Sequence, residues 1–148
     1  MQIGTRFSVA IHILLCVEVF KDKKVTSDFI AGSVNTNPVV IRKIMGLLRE
    51  ADLIDVAAGT GGIALTRPAA EISLLDIYRA ADTVKDGELF KIHEGTAPRC
   101  PVGGNIAQLL GGYFESAQEA MEAELSRSTL QDLLDDLAKL RKRREVPG

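Results

Sequence analysis

Apolar residues recur every three to four positions over most of this chain, a spacing that predicts a mainly helical protein. The first helix is predicted over residues 6–20. Its apolar face consists of Val9, Ile13, Cys16, Val17 and Phe20. A second helix is predicted after the polar residues 26–28, with Ser27 as its N-cap. The residues that it is predicted to bury are Ile30, Ala31 and Val34.

A tight turn and a third helix are predicted next. Residues 35–37 read Asn-Thr-Asn, and asparagine tolerates the left-handed backbone that a short turn between helices needs. Asn37 suits an N-cap and Pro38 suits the first turn of a helix that continues to about residue 51. Its inner side is predicted to carry Val40, Ile41, Ile44, Leu47 and Leu48.

The periodicity then changes to that of a β-hairpin. Residues 53–56 and 63–66 are typical of two short strands, and the segment between them is rich in glycine. Pro68 stops the second strand. Together with the two preceding helices, this hairpin predicts a winged helix-turn-helix.

Helical periodicity returns in the second half of the chain. Helices are predicted over residues 73–81 and 105–126, separated by a loop, and a capping box within 128–131 is predicted to open a last helix. Gly111 and Gly112 leave open whether the long helix is continuous, because each glycine costs about 1 kcal/mol inside a helix. Its apolar stripe is Ile106, Leu109, Leu110, Tyr113, Phe114, Ala117, Met121 and Leu125.

We therefore predict a mainly α fold with a small β-hairpin wing and a long C-terminal dimerisation helix. The winged domain is assigned to residues 1–68, and a helical region for dimerisation and sensing to 69–148. A helix of about 22 residues is roughly 33 Å long. Its apolar stripe exceeds what a short domain covers, which favours a partner helix in a homodimer; packing on its own chain is the alternative.

Charge restricts where a polyanion would bind. The 148 residues contain 18 Lys and Arg against 20 Asp and Glu, which excludes a uniformly basic nucleic-acid binder. Residues 1–68 have a net charge of +2 and residues 69–148 of −4, so the front of the chain is favoured. The basic run at 139–144 is interpreted as a solvated tail, with DNA contact as the alternative.

A winged helix-turn-helix predicts binding to double-stranded DNA, because its second helix fits the major groove. One alternative is an adaptor that binds protein through the same winged scaffold. The other is that three helices and a hairpin are only a common scaffold and have no DNA-binding role. Polar or exposed positions of the first three helices and of the hairpin tip are the candidate contacts. They are Arg6, Ser27, Asn35, Thr36, Asn37, Val39, Arg42, Lys43, Thr60 and Gly61.

Several stretches resemble the Rrf-type (Rrf-two) family of bacterial winged-helix transcription regulators, in particular its YwnA-like branch. They lie at residues 6–14, 33–43, 61–62, 72–78 and 93–103, and the similarity covers nearly the whole chain. The resemblance implies a homodimeric DNA-binding repressor or activator, with repressor as our prediction.

Two departures from better-known relatives qualify the resemblance. Those relatives carry three cysteines in the loop before the long helix, whereas only Cys100 is present here, so we predict no iron–sulfur cluster and no other cofactor. Many relatives also have an arginine before the wing glycines and an aromatic residue after them. Here Ala57 or Ala58, and Ile63, occupy those places, which weakens the case for minor-groove reading by the wing.

The two cysteines do not predict a disulfide framework. Cys16 belongs to the predicted apolar face of the first helix. Cys100 lies next to Arg99 and just before a helix start, where a thiolate is favoured, so a redox sensor responding to an oxidant or small molecule is one interpretation. A buried loop residue is the other.

Besides Cys100, His93 is the other sensor candidate in this loop. A thiol enzyme that uses Cys100 and His93 is the alternative from another functional class, although no orienting acid is evident and we predict no enzyme. Their separation of seven positions is a weak spacing for a metal site. With no signal peptide and no apolar run long enough to span a bilayer, we expect a soluble cytoplasmic protein that binds no membrane.

Overall fold

A computed structural model of the chain describes residues 4–57, 62–81 and 88–145. Its elements follow in the order α1 (Arg6–Val19), α2 (Ser27–Val34), α3 (Pro38–Glu50), β1 (Ile54–Val56), β2 (Ile63–Leu65), α4 (Leu74–Ala80), α5 (Ile106–Ser126) and α6 (Leu130–Glu145). A short 3₁₀ turn at Ala69–Glu71 precedes α4. This is a winged helix-turn-helix followed by a helical C-terminal region, so the predicted fold class is confirmed.

The helix α1 lies at the centre of the domain and contacts α2, α3, α4, α6 and β2. Its buried residues are Ala10, Ile13, Leu14, Cys16 and Val17. The prediction that Cys16 belongs to the core is therefore confirmed, whereas Val9 and Phe20 are only partly buried. A helix surrounded by neighbours buries more than one stripe, and a single periodic face underestimates it.

The start of α2 is one residue earlier than predicted. Thr26, in extended conformation, is the N-cap, and its Oγ1 accepts the N–H of Phe29 at 3.2 Å. Ser27 is therefore the first helical residue, and the prediction that it caps α2 is wrong. Val25 and Ile30 occupy the N′ and N4 positions of a Thr26 cap and are both buried, which is the pattern of a hydrophobic staple and favours that residue.

The turn between α2 and α3 has the predicted conformation. Asn35 is left-handed, with φ 63° and ψ 52°, and its N–H donates to the carbonyl of Ala31 at 2.8 Å. Asn37 caps α3 by accepting the N–H of Val39 at 2.9 Å, and Pro38 occupies the first turn. The two helices are thus joined by a turn of three residues whose backbone is fixed at both ends.

The inner face of α3 is narrower than predicted. Ile41, Ile44 and Leu48 are buried, at the spacing of one helical stripe. Leu47 is only half-buried, as is Val34 in α2, and Val40 is 43% exposed. The prediction for Val40 is wrong because it lies one position beside the stripe, on the flank of the helix.

The wing is a two-stranded antiparallel hairpin. Ile54 pairs with Leu65 and Val56 with Ile63, and the N–H of Ala57 donates to the carbonyl of Gly62 at 2.8 Å. Each strand has one buried residue at its start, Ile54 and Ile63, which attaches the hairpin to the core. The first strand begins one residue later than predicted, and the second ends one residue earlier.

The long helix α5 is continuous through Gly111 and Gly112, which settles the open question of a break. A Cβ at either glycine would meet nothing within 4 Å, so no close helix crossing among the described residues requires them. Before α5, residues 88–104 form no helix or strand, as predicted, and α5 begins one residue later than predicted.

The last helix returns to the winged domain. The N–H of Leu130 donates to the carbonyl of Ile72 at 2.8 Å, and Leu130 is fully buried in the same core as α1. Because this pairing fixes the helix start, the capping box consists of Thr129 and Asp132, one residue later than the predicted pair. The division into 1–68 and 69–148 stays a prediction, although both segments contribute to this core.

No helix in the described part of the chain is both long and apolar enough to cross a membrane.

Candidate nucleic-acid interface and thiol loop

The outward side of α3 is a continuous exposed face, which we call the reading face, formed by Val39, Arg42, Lys43 and Gly46. Arg42 and Lys43 come three and four residues after Val39, and Gly46 comes four and three residues after them, so all four lie on one side of the helix. The buried stripe is on the opposite side. The fold thus holds α3 by one side and leaves two cations and one exposed valine on the other.

Arg42 is not free in this arrangement. Its Nη1 donates to Ser27 Oγ at 3.4 Å and lies 3.9 Å from Asp28 Oδ1, both on α2. All three side chains are at least partly accessible, so the ion pair is screened by water. These contacts place the Arg42 guanidinium at the start of α2. Ser27 was predicted as a separate DNA contact and lies next to Arg42 in the structure.

The three polar turn residues lie beside the reading face. Asn35 and Asn37 are exposed and Thr36 is half-buried. Because Asn37 Oδ1 is engaged in the cap, its side-chain N–H₂ is the group left to point outward. The structure therefore brings the turn and the exposed side of α3 together, as the spacing predicted.

Of the remaining predicted contacts, one is half-buried and two lie outside the described residues. Arg6 is the first residue of α1, is half-buried and takes part in an interaction within the chain. Thr60 and Gly61, at the wing tip, lie outside the described residues. The base of the wing is attached to the end of α3, because the Thr66 hydroxyl donates to the carbonyl of Asp52 at 2.5 Å.

Cys100 is exposed and lies in a tight turn before α5, which removes the buried-residue interpretation. Hydrogen bonds from the backbone N–H groups of Gly103 and, second, Val102 lower the pKa of the Cys100 thiol. Gly104 permits the turn, because a Cβ there would lie 2.5 Å from the carbonyl oxygen of Pro98. The loop thus favours the thiolate form of a solvent-accessible cysteine.

His93 is also exposed, and within the described part of the chain no hydrogen bond joins it to Cys100. A thiol enzyme needs a base within hydrogen-bond reach of the sulfur. The described residues also contain no group of three His, Cys, Asp or Glu side chains that could hold a metal ion. The arrangement supports thiol chemistry at Cys100 alone.

The predicted dimer stripe of α5 separates into two sides. Leu109, Tyr113 and Ala117 are exposed and follow at four-residue intervals; we call them the outer α5 stripe. The other five residues of the predicted stripe are half-buried, on the side where α5 contacts α4 and where Phe114 packs on Phe90 with ring centroids 5.3 Å apart. They are Ile106, Leu110, Phe114, Met121 and Leu125. No residue of α5 is fully buried.

Two residues of the candidate interface were missed by sequence reasoning. Asp28 faces Arg42, which a separation of 14 residues does not reveal. Gly46 was overlooked, although its interval of four and seven residues from Arg42 and Val39 is a signal that could have placed it on the reading face.

The chain is similar to known transcription regulators. The model of the Rrf2 family, described as iron-dependent transcriptional regulators, matches residues 3–136. The HTH-type transcriptional regulator YwnA of Bacillus subtilis is 47% identical over 136 residues, covering 92% of this chain and 99% of that protein. A crystal structure described as a DNA-binding protein has a TM-score of 0.72 and 43% identity, covering 87% of this chain and 98% of that one. The oxidized form of Staphylococcus aureus CymR has a TM-score of 0.62 and 25% identity, covering 90% and 95%.

The family description mentions iron, and the residues present do not fit an iron–sulfur cluster. Such clusters are usually held by four ligands, mostly cysteine thiolates. This chain has two cysteines, one buried in α1 and one exposed in the loop before α5. The donor set needed for a cluster is not assembled among the described residues.

Proposed function

The chain belongs to the Rrf2 family of transcription regulators, and on that premise we propose that it is a homodimeric repressor that binds double-stranded DNA through α3. The observation that carries the proposal is the reading face. A helix held from behind by its buried stripe presents two cations outward, directly after a capped three-residue turn. That is how a recognition helix enters a major groove.

The charges around α3 have different roles in this proposal. Arg42 and Ser27, joined at the start of α2, contact a DNA phosphate, because the first helix of such a motif crosses the DNA backbone. Lys43 has no such partner on α2 and faces the groove. Asn35, Thr36 and Asn37 supply further hydrogen-bond donors beside them.

Selection of bound fragments from random and genomic duplexes tests the proposal. The wild type is expected to enrich one palindromic sequence, with affinity that falls steeply as salt rises, because phosphate contacts release counterions. Arg42→Ala with Lys43→Ala should abolish the enrichment and leave the thermal midpoint nearly unchanged, since both side chains are exposed.

The matched control replaces two cations of the basic tail, Lys142→Ala with Arg143→Ala, and should retain the enrichment. If the tail variant loses DNA and the α3 variant does not, the groove assignment is wrong. If no sequence is enriched by the wild type, the chain is a protein-binding adaptor instead. Repression is tested by transcription from an enriched promoter, which should rise when the protein is absent.

The exposed outer α5 stripe supports the homodimer. An apolar row left uncovered on a 21-residue helix is a natural surface for the same helix of a second copy. Two linked recognition helices would then contact half-sites about 34 Å apart, one turn of DNA.

We propose further that the repressor responds to oxidants through Cys100, without a metal cofactor and without enzymatic turnover. The thiolate attacks one oxygen of hydrogen peroxide and the O–O bond breaks; the sulfur keeps that oxygen with its proton as a sulfenic acid, and the other oxygen leaves as hydroxide, which is neutralised by the buffer. The support is the exposed thiol whose anion is stabilised by backbone N–H groups. A related protein, S. aureus CymR, has been solved in a form described as oxidized.

Mild peroxide should alter DNA release by the wild type and not by Cys100→Ser. In the reduced protein, Cys100 should be alkylated at a pH below the ordinary thiol pKa of about 8.5, and Gly104→Ala should raise that pH because it displaces the turn. An identical peroxide response in wild type and Cys100→Ser would contradict the redox proposal and leave DNA binding intact.

A further inference from the structure

The most exposed residue of the first turn of α3 is apolar. Val39 exposes 62% of its surface, more than the neighbouring Val40 at 43%. Valine is a weaker helix former than alanine or lysine, and at this exposure it gains little from packing within the chain. The fold therefore offers no reason for a valine at this position.

Val39 also has a fixed position and a fixed orientation. Its N–H is held by the Oδ1 of Asn37 at 2.9 Å, which anchors the first turn of the helix. A β-branched side chain in a helix is largely restricted to one rotamer. Val39 is thus a rigid apolar projection, three and four residues before Arg42 and Lys43 on the same face.

The major groove offers few apolar partners. Residues at the N-terminal end of a recognition helix contact base edges, and the apolar group on those edges is the 5-methyl group of thymine. Arg42 is drawn toward α2 by Ser27 and Asp28, which leaves the centre of the reading face to Val39 and Lys43.

We propose that Val39 reads the 5-methyl group of one thymine in each half-site of the bound DNA. This inference rests on the proposed function and adds a specificity-determining residue to it. Discrimination between thymine and other bases at that position then depends on a single methyl group in the groove, independently of the charged contacts.

The test removes the methyl group from the DNA. Each thymine of the enriched duplex is replaced in turn by deoxyuridine, which keeps base pairing and charge. For the wild type, one replacement per half-site should weaken binding by about fourfold, the effect of losing one buried methyl contact. For Val39→Ser, the same replacement should have no effect, and the salt dependence should equal that of the wild type because no phosphate contact changes.

Val40→Ser is the matched control, because it makes the same change one position away on the flank of α3. It should retain the fourfold response, and both variants should keep the wild-type thermal midpoint within a few degrees. Enrichment of a duplex in which no thymine responds would overturn the inference alone, as would an equal response in Val39→Ser. Failure to enrich any duplex would overturn the proposed function itself, so the two failures are distinguishable.

Discussion

Arg42 shows that a sequence can identify an exposed charge correctly and still not reveal which residues contact it. Its place on the exposed side of α3 follows from helical spacing, and the structure confirms that exposure. Its contact with Ser27 and Asp28 does not follow, because it depends on the crossing of two helices. The loop hydrogen bonds that lower the pKa of Cys100 were unpredictable for a similar reason, since an irregular loop has no period.

Asp28 lowers the positive charge beside Arg42, so Asp28→Asn is expected to strengthen DNA binding. The gain should be about two- to fivefold at low salt and should shrink as salt rises, because Asp28 and Arg42 are exposed and screened. Binding titrations at two salt concentrations measure it. Asp136→Asn makes the same change of net charge on α6, and an equal gain in that variant would contradict the local explanation.

Among the elements, helices were predicted to within one or two residues because each has a hydrophobic period, and at α2, α3, α4 and α6 a capping residue marks the start as well. The caps of α2 and α6 were each misplaced by one residue. Two good capping residues stand next to each other at both starts, and burial of the flanking apolar residues decides between them. That burial is a tertiary property, which local propensity does not contain.

The start of α4 is expected to make stability depend on pH through Asp76. Burial alone would raise the pKa of Asp76, but hydrogen bonds from the Ser73 N–H and hydroxyl, followed by the Arg67 contact at 3.2 Å, lower it below 3.8. A lowered pKa means that the stabilisation is complete above the unfolded-state value and is lost as pH falls through the folded-state value.

Asp76→Asn should therefore lower the free energy of unfolding by about 1 kcal/mol at pH 7, the usual cost of a weakened cap. The difference from the wild type should begin to shrink near the unfolded-state pKa of about 4 and disappear as the pH falls through the lower folded-state pKa, where the wild-type carboxylate becomes protonated as well. Urea unfolding across that range measures it, with the exposed Glu119→Gln as control. A difference that stays constant down to pH 2 would rule out the carboxylate as its source.

Gly46 is expected to have opposite effects on folding and on DNA binding. A Cβ at this exposed position in α3 would meet nothing within 4 Å in the chain, so Gly46→Ala should stabilise the protein by about 1 kcal/mol and raise the thermal midpoint by roughly 2–4 °C. The same methyl group would project from the reading face and weaken DNA binding.

Gly32→Ala in α2 is the control for this prediction, because a Cβ there is equally unobstructed and should stabilise the fold without loss of affinity. Thermal unfolding and DNA titration of both variants give the comparison. Retained DNA affinity in Gly46→Ala would mean that the middle of α3 does not approach the groove closely.

At the scale of the whole molecule, the core links the winged domain to the C-terminal helices and leaves the outer α5 stripe exposed. Leu130 is buried with the residues of α1, whereas α5 has no fully buried residue. The sequence predicted an apolar stripe on α5 but not which part of it would be used within the chain. Which side of α5 is half-buried depends on where α4 and the loop before α5 lie, and hence on the complete tertiary structure.

The outer α5 stripe is expected to control assembly. Leu109→Asp with Tyr113→Asp places charges on side chains that are 56% and 78% exposed, so the chain should fold but no longer bury this row against a second copy. Light scattering should give about 32 kDa, twice the 16.0 kDa chain mass, for the wild type and about 16 kDa for the variant. Affinity for a palindromic duplex should fall with the loss of the second recognition helix, because the two half-sites are no longer bound by one linked molecule.

Leu140→Asp provides the matched control, since this leucine is 54% exposed on α6 and the change in polarity is the same. It should remain a dimer with unchanged affinity for the duplex. If Leu140→Asp becomes a monomer while the double α5 variant remains a dimer, the second copy is held by α6 instead. In that case the spacing of the recognition helices would be set by the end of the chain, and the half-site separation inferred from α5 would have to be replaced.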